Sequence, residues 1–534
     1  MAETPDSVGA IVKRAEKAWA DKTNFDTLVR EMYRYALPQR DRWETETAGE
    51  SRTDLVFDST AVKSVKKYAG RIVTDVFPAG RDWALLEPGP GIKNENKERA
   101  KKDLQDATDI AFSIIHNATN FNCAIGEWAL DLATGTAAML VLKGPSIANP
   151  IIFQAMPILS IAIDEGPAGS VGGIFRKPRV KNRNLKGEWP DIKMDSDMED
   201  LIANTPDAYC DGLWECTYHD IEKDEWCYEV YRKKGNKKLV ERKFKSNPWV
   251  IVRLNKAAKE VNGRGPLADA LPDIKTINKM VELVLRNAAL AVSGVWTGVD
   301  DGVMNPDTVR ITAGSVISVS RNQGHPAGPS LAPLERPGDF DVAQLEHERL
   351  SMSIKQCLLD ESLPPMTGAV RSATEIVERI KELAQDMGAN FGRLIVEGVV
   401  PIMQRVIDIL SEWALINMQG VKIGGAAVKL TVTSPLAQIQ NLDDIEKIVK
   451  TIELSYALVG KELTMRVIKV EEVVGRIAEK LGFPADLVRD ETERGELDQM
   501  VAQMLASLQK EEGAGAVAEQ MKGVGQPVMA GQAA

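Results

Sequence analysis

Apolar residues recur at every third or fourth position along one segment of the second half of the chain. This stripe runs from Ile376 to Trp413, a period that keeps one face of an α-helix apolar throughout. Ser372 is followed three residues later by Glu375, a spacing at which each side chain can bond the other's free backbone N–H. The pattern therefore predicts a very long helix with an abrupt start.

Two breaks accompany this stripe. Pro401 falls inside it, and because proline removes a helical hydrogen bond and clashes with the preceding turn, we predict a kink between Glu397 and Pro401. Upstream, the sequence ESLPPMTGAVR of residues 361–371 contains two prolines and a glycine, which predict a loop. The long helix is thus predicted to follow a flexible loop that carries a basic residue.

A different pattern fills the first half. Short segments rich in β-branched and aromatic residues, bounded by Gly, Pro, Asn or Asp, predict strands at AAMLVLKG, IIFQAMP, SIAIDEG, VGGIFRKPRV, LWECTYHD, WCYEVYRKK and NPWVIVRLNK. Helical periodicity is plain at residues 8–37, 59–76, 96–117 and 123–133, with a small helix predicted at 191–205. The fold class we predict is α+β and predominantly helical.

The second half adds further elements around the long helix. An apolar face begins at GRGPLADAL, where glycine and proline suit a helix start, and a second one begins at DVAQLEHERL. Between them lies a Gly-, Pro- and Asp-rich stretch with the strand-like VRITAGSVISVSR. After residue 420, VKLTVTSP predicts a returning strand, followed by helices at 442–458, 464–481 and 491–511. The last residues are poor in bulky apolar side chains, which predicts disorder.

Charge and hydropathy narrow the classes of function. The formal net charge is -11, which disfavours a protein that grips nucleic acid through a general basic surface. No apolar run is long enough to span a bilayer, and the start MAETPDSVGA has neither a basic nor an apolar signal region. We expect a protein that is intracellular when made and does not enter a membrane.

Candidate chemistry is sparse. Cys210, Cys216, His219 and Cys227 lie close together, but they lack the C-x2-C spacing of zinc knuckles and fall on adjacent predicted strands. The four histidines lie in unrelated contexts, and neither a P-loop nor an H-E-x-x-H helix occurs. We therefore predict no metal, no cofactor and no enzymatic activity.

Four segments together resemble a known family. Tyr35-Ala-Leu-Pro38, VFDSTAVKSVKKYAGRIVTDVFPAGRDWALL, GRGPLADALPDIKTINKMVE and SATEIVERIKEL follow one another in the order and spacing of the head-to-tail connector, or portal, proteins of short-tailed bacteriophages. The resemblance covers about residues 10–510. It implies the portal fold, assembled as a ring, usually of twelve subunits, with a central channel for DNA.

The resemblance also implies a division of the chain into parts. These are a mixed α/β wing (1–264), a first stem helix (265–292), the clip (293–339), a second stem helix (340–358), a tunnel loop (359–372), a long kinked helix between channel and wing (373–416), a returning wing segment (417–463), a helical crown (464–512) and a disordered tail (513–534).

Candidate site residues follow from that division. The tunnel loop and its neighbours are expected to face DNA, with the candidates Arg371, Thr367, Lys355, Glu375 and Arg379. The clip is expected to meet the packaging motor and then the tail adaptor, with the candidates Arg310, Arg321, Asn322 and His325. Residues 373–413 contain seven acidic and four basic side chains, a net charge of -3, so walls of this kind would repel DNA. We expect passage of double-stranded DNA without sequence recognition.

The implied partners are other copies of the chain, a terminase motor, a tail adaptor, and capsid and scaffold proteins. The implied location is the portal vertex of the virion, after assembly in the host cytoplasm, with roles in DNA packaging and ejection. Two other interpretations stay open. A helical scaffold or adaptor without a channel would need strict heptads, and a carboxylate-based hydrolase would need a concave acidic pocket in the Trp-rich first half.

Overall fold

The structure, a computed structural model, describes residues 8–40, 54–92, 94–234, 237–293, 296–298, 331–333, 340–360, 388–418, 422–425, 427–460, 473–474 and 477. The chain divides into two compact units, residues 1–437 and 438–534. The predicted residues Thr367, Arg371, Glu375, Arg379, Arg310, Arg321, Asn322 and His325 lie outside the described ranges, as does the predicted helix start at Ser372.

Helices occupy much of the described chain. They are α1 (Val8–Asp21), α2 (Thr23–Ala36), α3 (Thr60–Val76), α4 (Asn94–Asn117), α5 (Phe121–Leu132), α6 (Leu185–Glu188), α7 (Ser196–Asn204), α8 (Pro266–Ser293), α9 (Phe340–Cys357), α10 (Gly388–Leu394), α11 (Val400–Glu412) and α12 (Pro435–Val459). None of these helices is long and apolar enough to cross a membrane.

Over the described residues, strands form four antiparallel sheets. They are β1 (Ala84–Pro88), β2 (Thr136–Ser146), β3 (Asn149–Met156), β4 (Ile161–Glu165), β5 (Val171–Arg176), β6 (Leu213–Asp220), β7 (Glu225–Arg232), β8 (Lys237–Phe244), β9 (Trp249–Arg253), β10 (Trp296–Gly298), β11 (Leu331–Pro333) and β12 (Val428–Val432). The orders are β1-β12, β10-β11, β3-β2-β9 and β4-β5-β6-β7-β8. This mixture of helices and sheets confirms the predicted α+β class.

The five-stranded sheet is covered on both faces. Ile11 and Ala15 of α1 pack against Phe175, Trp214 and Cys216 on one face. The other face carries a second apolar cluster, which includes Leu185, Trp189, Met198, Tyr228 and Val240. Because strand side chains alternate between faces, β6 and β7 contribute to both clusters.

The three-stranded sheet forms a second core together with α3, α4 and α5. Six aromatic rings meet there at centroid distances of 5.0–6.1 Å, mostly edge to face: Phe77, Trp83, Phe112, Phe121, Trp128 and Phe153. Such pairs add to the stabilisation from buried area. This cluster contains six of the 23 aromatic residues that precede Gly265.

The chain returns to its first half after α11. β12 pairs with β1, from Ala84 opposite Val432 to Pro88 opposite Val428. The returning strand predicted at VKLTVTSP is therefore present, and its partner is a strand that the sequence pattern did not single out. β8 was missed as well, because its sequence KKLVERKF is dominated by charges, which suit its position at a sheet edge.

The predicted kink takes the form of a π-helical segment at Ile395–Val399. The N–H of Val400 bonds the carbonyl of Ile395, five residues earlier, just ahead of Pro401. Glu397 within this segment accepts the backbone N–H of Arg253 at 2.9 Å and its Nη2 at 2.8 Å. The irregularity thus lies where the proline indicated, and it points a carboxylate at the end of β9.

The second unit is described chiefly through α12. Ile445 on this helix is buried, whereas Leu454 and Leu458 are exposed. Its hydroxyl side chains bond back to the helix, as Thr451 does to the carbonyl of Lys447 at 2.6 Å.

Candidate functional site

Helices α8 and α9 form a pair that is buried at one end only. Ser353 Oγ donates to Asp273 Oδ2 at 2.7 Å and joins the two helices. In α8 the buried positions end at Asn278, and no residue from 279 to 289 is buried. In α9 no residue from 343 to 349 is buried, whereas Leu350 and Ile354 are. The far end of the pair therefore projects from the described body of the first unit.

Exposed apolar side chains lie on both helices of the pair, with Met352 nearer the buried end, between Leu350 and Ile354. Leu283, Leu285, Leu345 and Met352 are each more than half exposed. Leu345 and Met352 are seven residues apart on α9 and so share one face of the helix. Exposed apolar side chains that share one helix face suit contact with another protein surface.

A short extended strap, residues Leu55–Asp58, holds both helices of the pair. The Asn278 side chain accepts the N–H groups of Phe57 and Asp58 at 2.7 and 3.2 Å and donates to the Leu55 carbonyl at 2.8 Å. Asp58 Oδ2 lies 3.2 Å from Nε2 of His347 on α9. The strap thus fixes the two helices at the level where they leave the core.

Helix α3 holds the end of α9 and the residues that come after it. Ser64 Oγ donates to Asp360 Oδ2 at 2.7 Å, and Lys67 Nζ lies 2.7 Å from Oδ1 of the same carboxylate. Arg71 Nη1 donates to the Leu359 carbonyl at 2.9 Å. Leu359 has a φ of 53°, in the left-handed region that non-glycine residues seldom adopt. We call these five residues the Asp360 clamp.

Lys355 is the one predicted site residue that the structure describes. It is exposed on the last turn of α9, and its backbone carbonyl accepts the N–H of Asp360 at 2.8 Å. Sequence reasoning did not identify Asp360, Ser64 or Asn278. The signal was partly present, because Ser64, Lys67 and Arg71 form a polar stripe with i, i+3, i+7 spacing on α3.

The start of α8 is packed backbone against backbone on the residues that lead into β2. Leu254 N–H bonds the Gly135 carbonyl at 2.7 Å, and Gly265 N–H bonds the Thr134 carbonyl at 3.1 Å. A Cβ atom on Gly265 would overlap the carbonyl oxygen of Ala133, and one on Gly263 would overlap that of Leu254. Glycine is required at this junction because only a missing side chain permits the approach.

Buried carboxylates elsewhere in the first unit are engaged by cations and tyrosines. Burial raises the pKa of Asp131 to about 6, although Arg40 Nη1 at 2.8 Å opposes the shift and Tyr33 donates to the carboxylate at 2.7 Å. Burial likewise raises the pKa of Glu215, with Arg176 Nε 2.9 Å away acting in the opposite direction. These contacts stabilise buried charge within the first unit.

Of the residues weighed as a weak zinc candidate, Cys216, His219 and Cys227 lie in the five-stranded sheet, and Cys210 lies outside its strands. The register places Cys216 opposite Glu229 and Cys227 opposite Tyr218, and burial raises the pKa of both thiols. His219 pairs instead with Asp224, at 3.3 Å. Over the described part of the chain, no group of three or more His, Cys, Asp or Glu side chains is placed to hold a metal ion.

Residues 8–488 match the family of bacteriophage head to tail connecting proteins. The match covers most of the chain, so the protein belongs to that family, and the resemblance drawn from the sequence is confirmed.

Two solved structures are also similar. A chain of the virion of a native gene transfer agent particle is 12% identical with a TM-score of 0.31, over 82% of this chain and 95% of that one. A chain of the neck of an empty gene transfer agent particle is 13% identical with a TM-score of 0.33, over 84% and 98%. At these TM-scores neither likeness supports a conclusion about this chain. No curated protein matches the sequence.

Proposed function

We propose that this chain is the subunit of a portal ring, usually of twelve copies, at one vertex of a phage-like capsid. Double-stranded DNA passes through the central channel during packaging, driven by a separate terminase motor, and again during ejection. The observation that carries the proposal within the connector family is the projecting pair of α8 and α9. Its exposed leucines and methionine suit contact with the same helices of neighbouring subunits.

The described contacts fit the roles expected of each part. The strap and the glycine junction fix the base of the stem to the wing, so that force on the stem is borne by hydrogen-bonded backbone. The Asp360 clamp fixes the first two residues of the proposed tunnel loop, 359–372, to helix α3. The base of a DNA-facing loop is thereby held in place.

The proposed passage of DNA rests on charge. Lys355 stands exposed beside the clamp, and it joins Arg371, Thr367, Glu375 and Arg379 as candidates to face DNA. A few basic side chains touch phosphates without reading bases, so the grip on DNA stays weak. DNA would therefore pass through the channel without being held tightly.

The remaining partners follow from the same proposal. The clip, 293–339, carries the docking candidates Arg310, Arg321, Asn322 and His325 for the motor and the tail adaptor. Capsid and scaffold proteins contact the ring during assembly in the host cytoplasm, and the mature location is the virion. The chain acts as a conduit and docking hub, not as an enzyme. Asp131 and Glu215 are buried and already contact cationic side chains, so these carboxylates do not support the alternative interpretation as a hydrolase.

Native mass spectrometry with negative-stain electron microscopy tests the ring. Rings with a central hole are expected, and a double variant, Leu345→Asp with Met352→Asp, should abolish them by placing charge in the subunit contact. Ile221→Asp is the matched control, because this residue is as exposed but lies in the turn between β6 and β7. A compact monomer or dimer of the native protein under all assembly conditions would overturn the proposal.

A further inference from the structure

Helix α3 has one strongly basic face. The helix contains four cationic side chains, three lysines and one arginine, but a single carboxylate, Asp75. Its exposed residues fall at positions i, i+3, i+4, i+7 and i+11, which places them on one side of the helix. They are Lys63, Lys66, Lys67, Gly70 and Thr74. We call this surface the α3 lysine face.

The carboxylates around this face already have partners. Asp360 is held by the residues of the clamp. Asp75 Oδ2 lies 3.4 Å from Nε of Arg71, one turn earlier on the same helix. Asp58, just ahead of the helix, lies beside His347. These three acidic side chains therefore do not neutralise the exposed lysines of the face, apart from the pairing of Asp360 within the clamp.

Lys63 and Lys66 keep their charge available to a ligand. Neither ammonium group has a hydrogen-bond or ion-pair partner among the residues that the structure describes. Lys67 is paired with Asp360, yet its side chain remains 61% exposed, so a second anion can reach it. Uncompensated positive charge thus remains on the face.

A row of lysines along a helix suits a phosphate backbone. Lys63 and Lys67 are separated by about 6 Å of helix axis, a length over which a DNA duplex carries about four phosphates. Lysine meets a phosphate as a point charge. The face carries no aromatic side chain on which an unpaired base could stack. The ligand that fits is therefore the backbone of double-stranded DNA, contacted without regard to its sequence.

We propose that the α3 lysine face is a contact site for the phosphate backbone of double-stranded DNA, with Lys63 and Lys66 as the binding residues. The site rests on the proposed function for its ligand, because α3 also holds the first residues of the proposed tunnel loop. Lys67 of this helix pairs with Asp360, and Arg71 donates to the Leu359 carbonyl. One helix thus positions the loop and contacts DNA next to it.

Fluorescence anisotropy of the full-length protein with a short labelled DNA duplex tests the contact. Affinity of the native protein should fall steeply as salt is added, because phosphate contacts release counterions. Lys63→Gln with Lys66→Gln should reduce the salt slope by about two for each subunit in contact with the DNA. The loss of affinity between about 50 and 200 mM salt should then be about tenfold smaller than in the native protein.

Two further double variants serve as controls. Lys101→Gln with Lys102→Gln removes the same charge from exposed positions of α4, a helix on which the exposed Asp103 and Asp106 follow closely. This variant should keep the native salt slope. Lys63→Arg with Lys66→Arg preserves the charge of the α3 lysine face and should bind DNA as the native protein does.

The outcome is independent of ring formation, because the anisotropy measurement requires no ring. Native rings together with an unchanged slope in the α3 glutamine variant would overturn the DNA contact and leave the proposed function standing. A reduced slope in a protein that forms no rings would support the contact and overturn the proposed function. Loss of rings in the α3 glutamine variant with unaltered DNA binding would assign the face to a neighbouring subunit and overturn the contact. Absence of saturable binding by the native protein at about 50 mM salt would overturn it as well.

Discussion

Removing the Asp360 carboxylate should loosen the end of α9 from α3 by a predictable amount. Asp360 is only 8% exposed, and Ser64, its hydrogen-bond donor, is fully buried. Lys67, the other partner, is 61% exposed at its side chain. The two contacts are therefore expected to contribute unequally to the free energy of unfolding.

The magnitude follows from this difference in exposure. Asp360→Ala loses a hydrogen bond to a charged acceptor and leaves a buried hydroxyl unpaired, an effect of about 1.5–3 kcal/mol. The exposed ion pair with Lys67 adds at most about 1 kcal/mol. We expect a total of about 2–4 kcal/mol for Asp360→Ala. Asp360→Asn, which can still accept from Ser64, should cost about 1 kcal/mol.

Amide hydrogen exchange measures the effect where it arises, because local opening is read residue by residue. The last turn of α9 and the adjoining turns of α3 should exchange roughly 30- to 1,000-fold faster in Asp360→Ala, at 1.4 kcal/mol for each factor of ten. Asp207→Ala is the control, since Asp207 also forms an ion pair, with Arg183 at 2.7 Å, but its side chain is 69% exposed. If the proposed function is right, rings of Asp360→Ala should assemble but package less DNA.

The double variant Asp360→Ala with Ser64→Ala completes the cycle. Because neither partner is then left unpaired, its cost should be smaller than the sum of the two single costs by about 1–2 kcal/mol. Additive costs, or an exchange rate in Asp360→Ala no faster than in Asp207→Ala, would refute the clamp as the link between α3 and α9.

Three further predictions concern other parts of the first unit. Gly265→Ala should destabilise the protein by at least about 3 kcal/mol, because the new Cβ atom overlaps backbone atoms. Gly70→Ala, with open space around it on α3, should stabilise the protein by about 0.5–1 kcal/mol. Thermal denaturation compares the two variants, and equal shifts of the melting temperature would contradict the steric argument. Glu397→Ala should cost about 3–5 kcal/mol, because the buried Arg253 loses its counter-ion and keeps only hydrogen bonds to the Gly169 and Val261 carbonyls. The exposed Glu412→Ala should cost about 0–1 kcal/mol, and denaturant midpoints compare the two. Asp131 has a pKa raised to about 6, so the folded protein holds its proton more tightly than the unfolded chain does. The resulting contribution to the free energy of unfolding is complete below pH about 4 and is lost as the pH rises through about 6. The stability of Asp131→Asn relative to the native protein should therefore rise by about 3 kcal/mol over that range, and a constant difference would argue against the shifted titration.

Local patterns predicted the elements whose causes are local. The period of α8 and the glycine and proline at its start indicated a helix over 265–292, and the structure has Pro266–Ser293. Alternation indicated β6 and β7, and the position of Pro401 indicated an irregularity that proved to be a π segment. In each case the residues that cause the feature are neighbours in sequence.

Features that depend on distant partners escaped prediction. The sequence around Asp360 does not indicate that its hydrogen-bond donor is Ser64. From the sequence, Asn278 is an ordinary polar residue of an amphipathic helix, and only the structure shows its hydrogen bonds to the strap. The need for Gly265 is visible only once β2 lies beside it. The segments that carry the family resemblance include Ser64, Gly265 and Asn278 but not Asp360, and the resemblance gave no physical reason for any of them.

The pairing of β1 with β12 has a consequence for how the protein is made. These strands are more than three hundred residues apart in sequence, yet they lie in direct register in one sheet. At a synthesis rate of roughly 5–20 residues per second, β12 is synthesised about 20–70 s after β1. Until then its edge is open to other chains. We therefore expect this sheet to form late in the maturation of the subunit. Only fully synthesised chains would then contain the sheet when subunits associate.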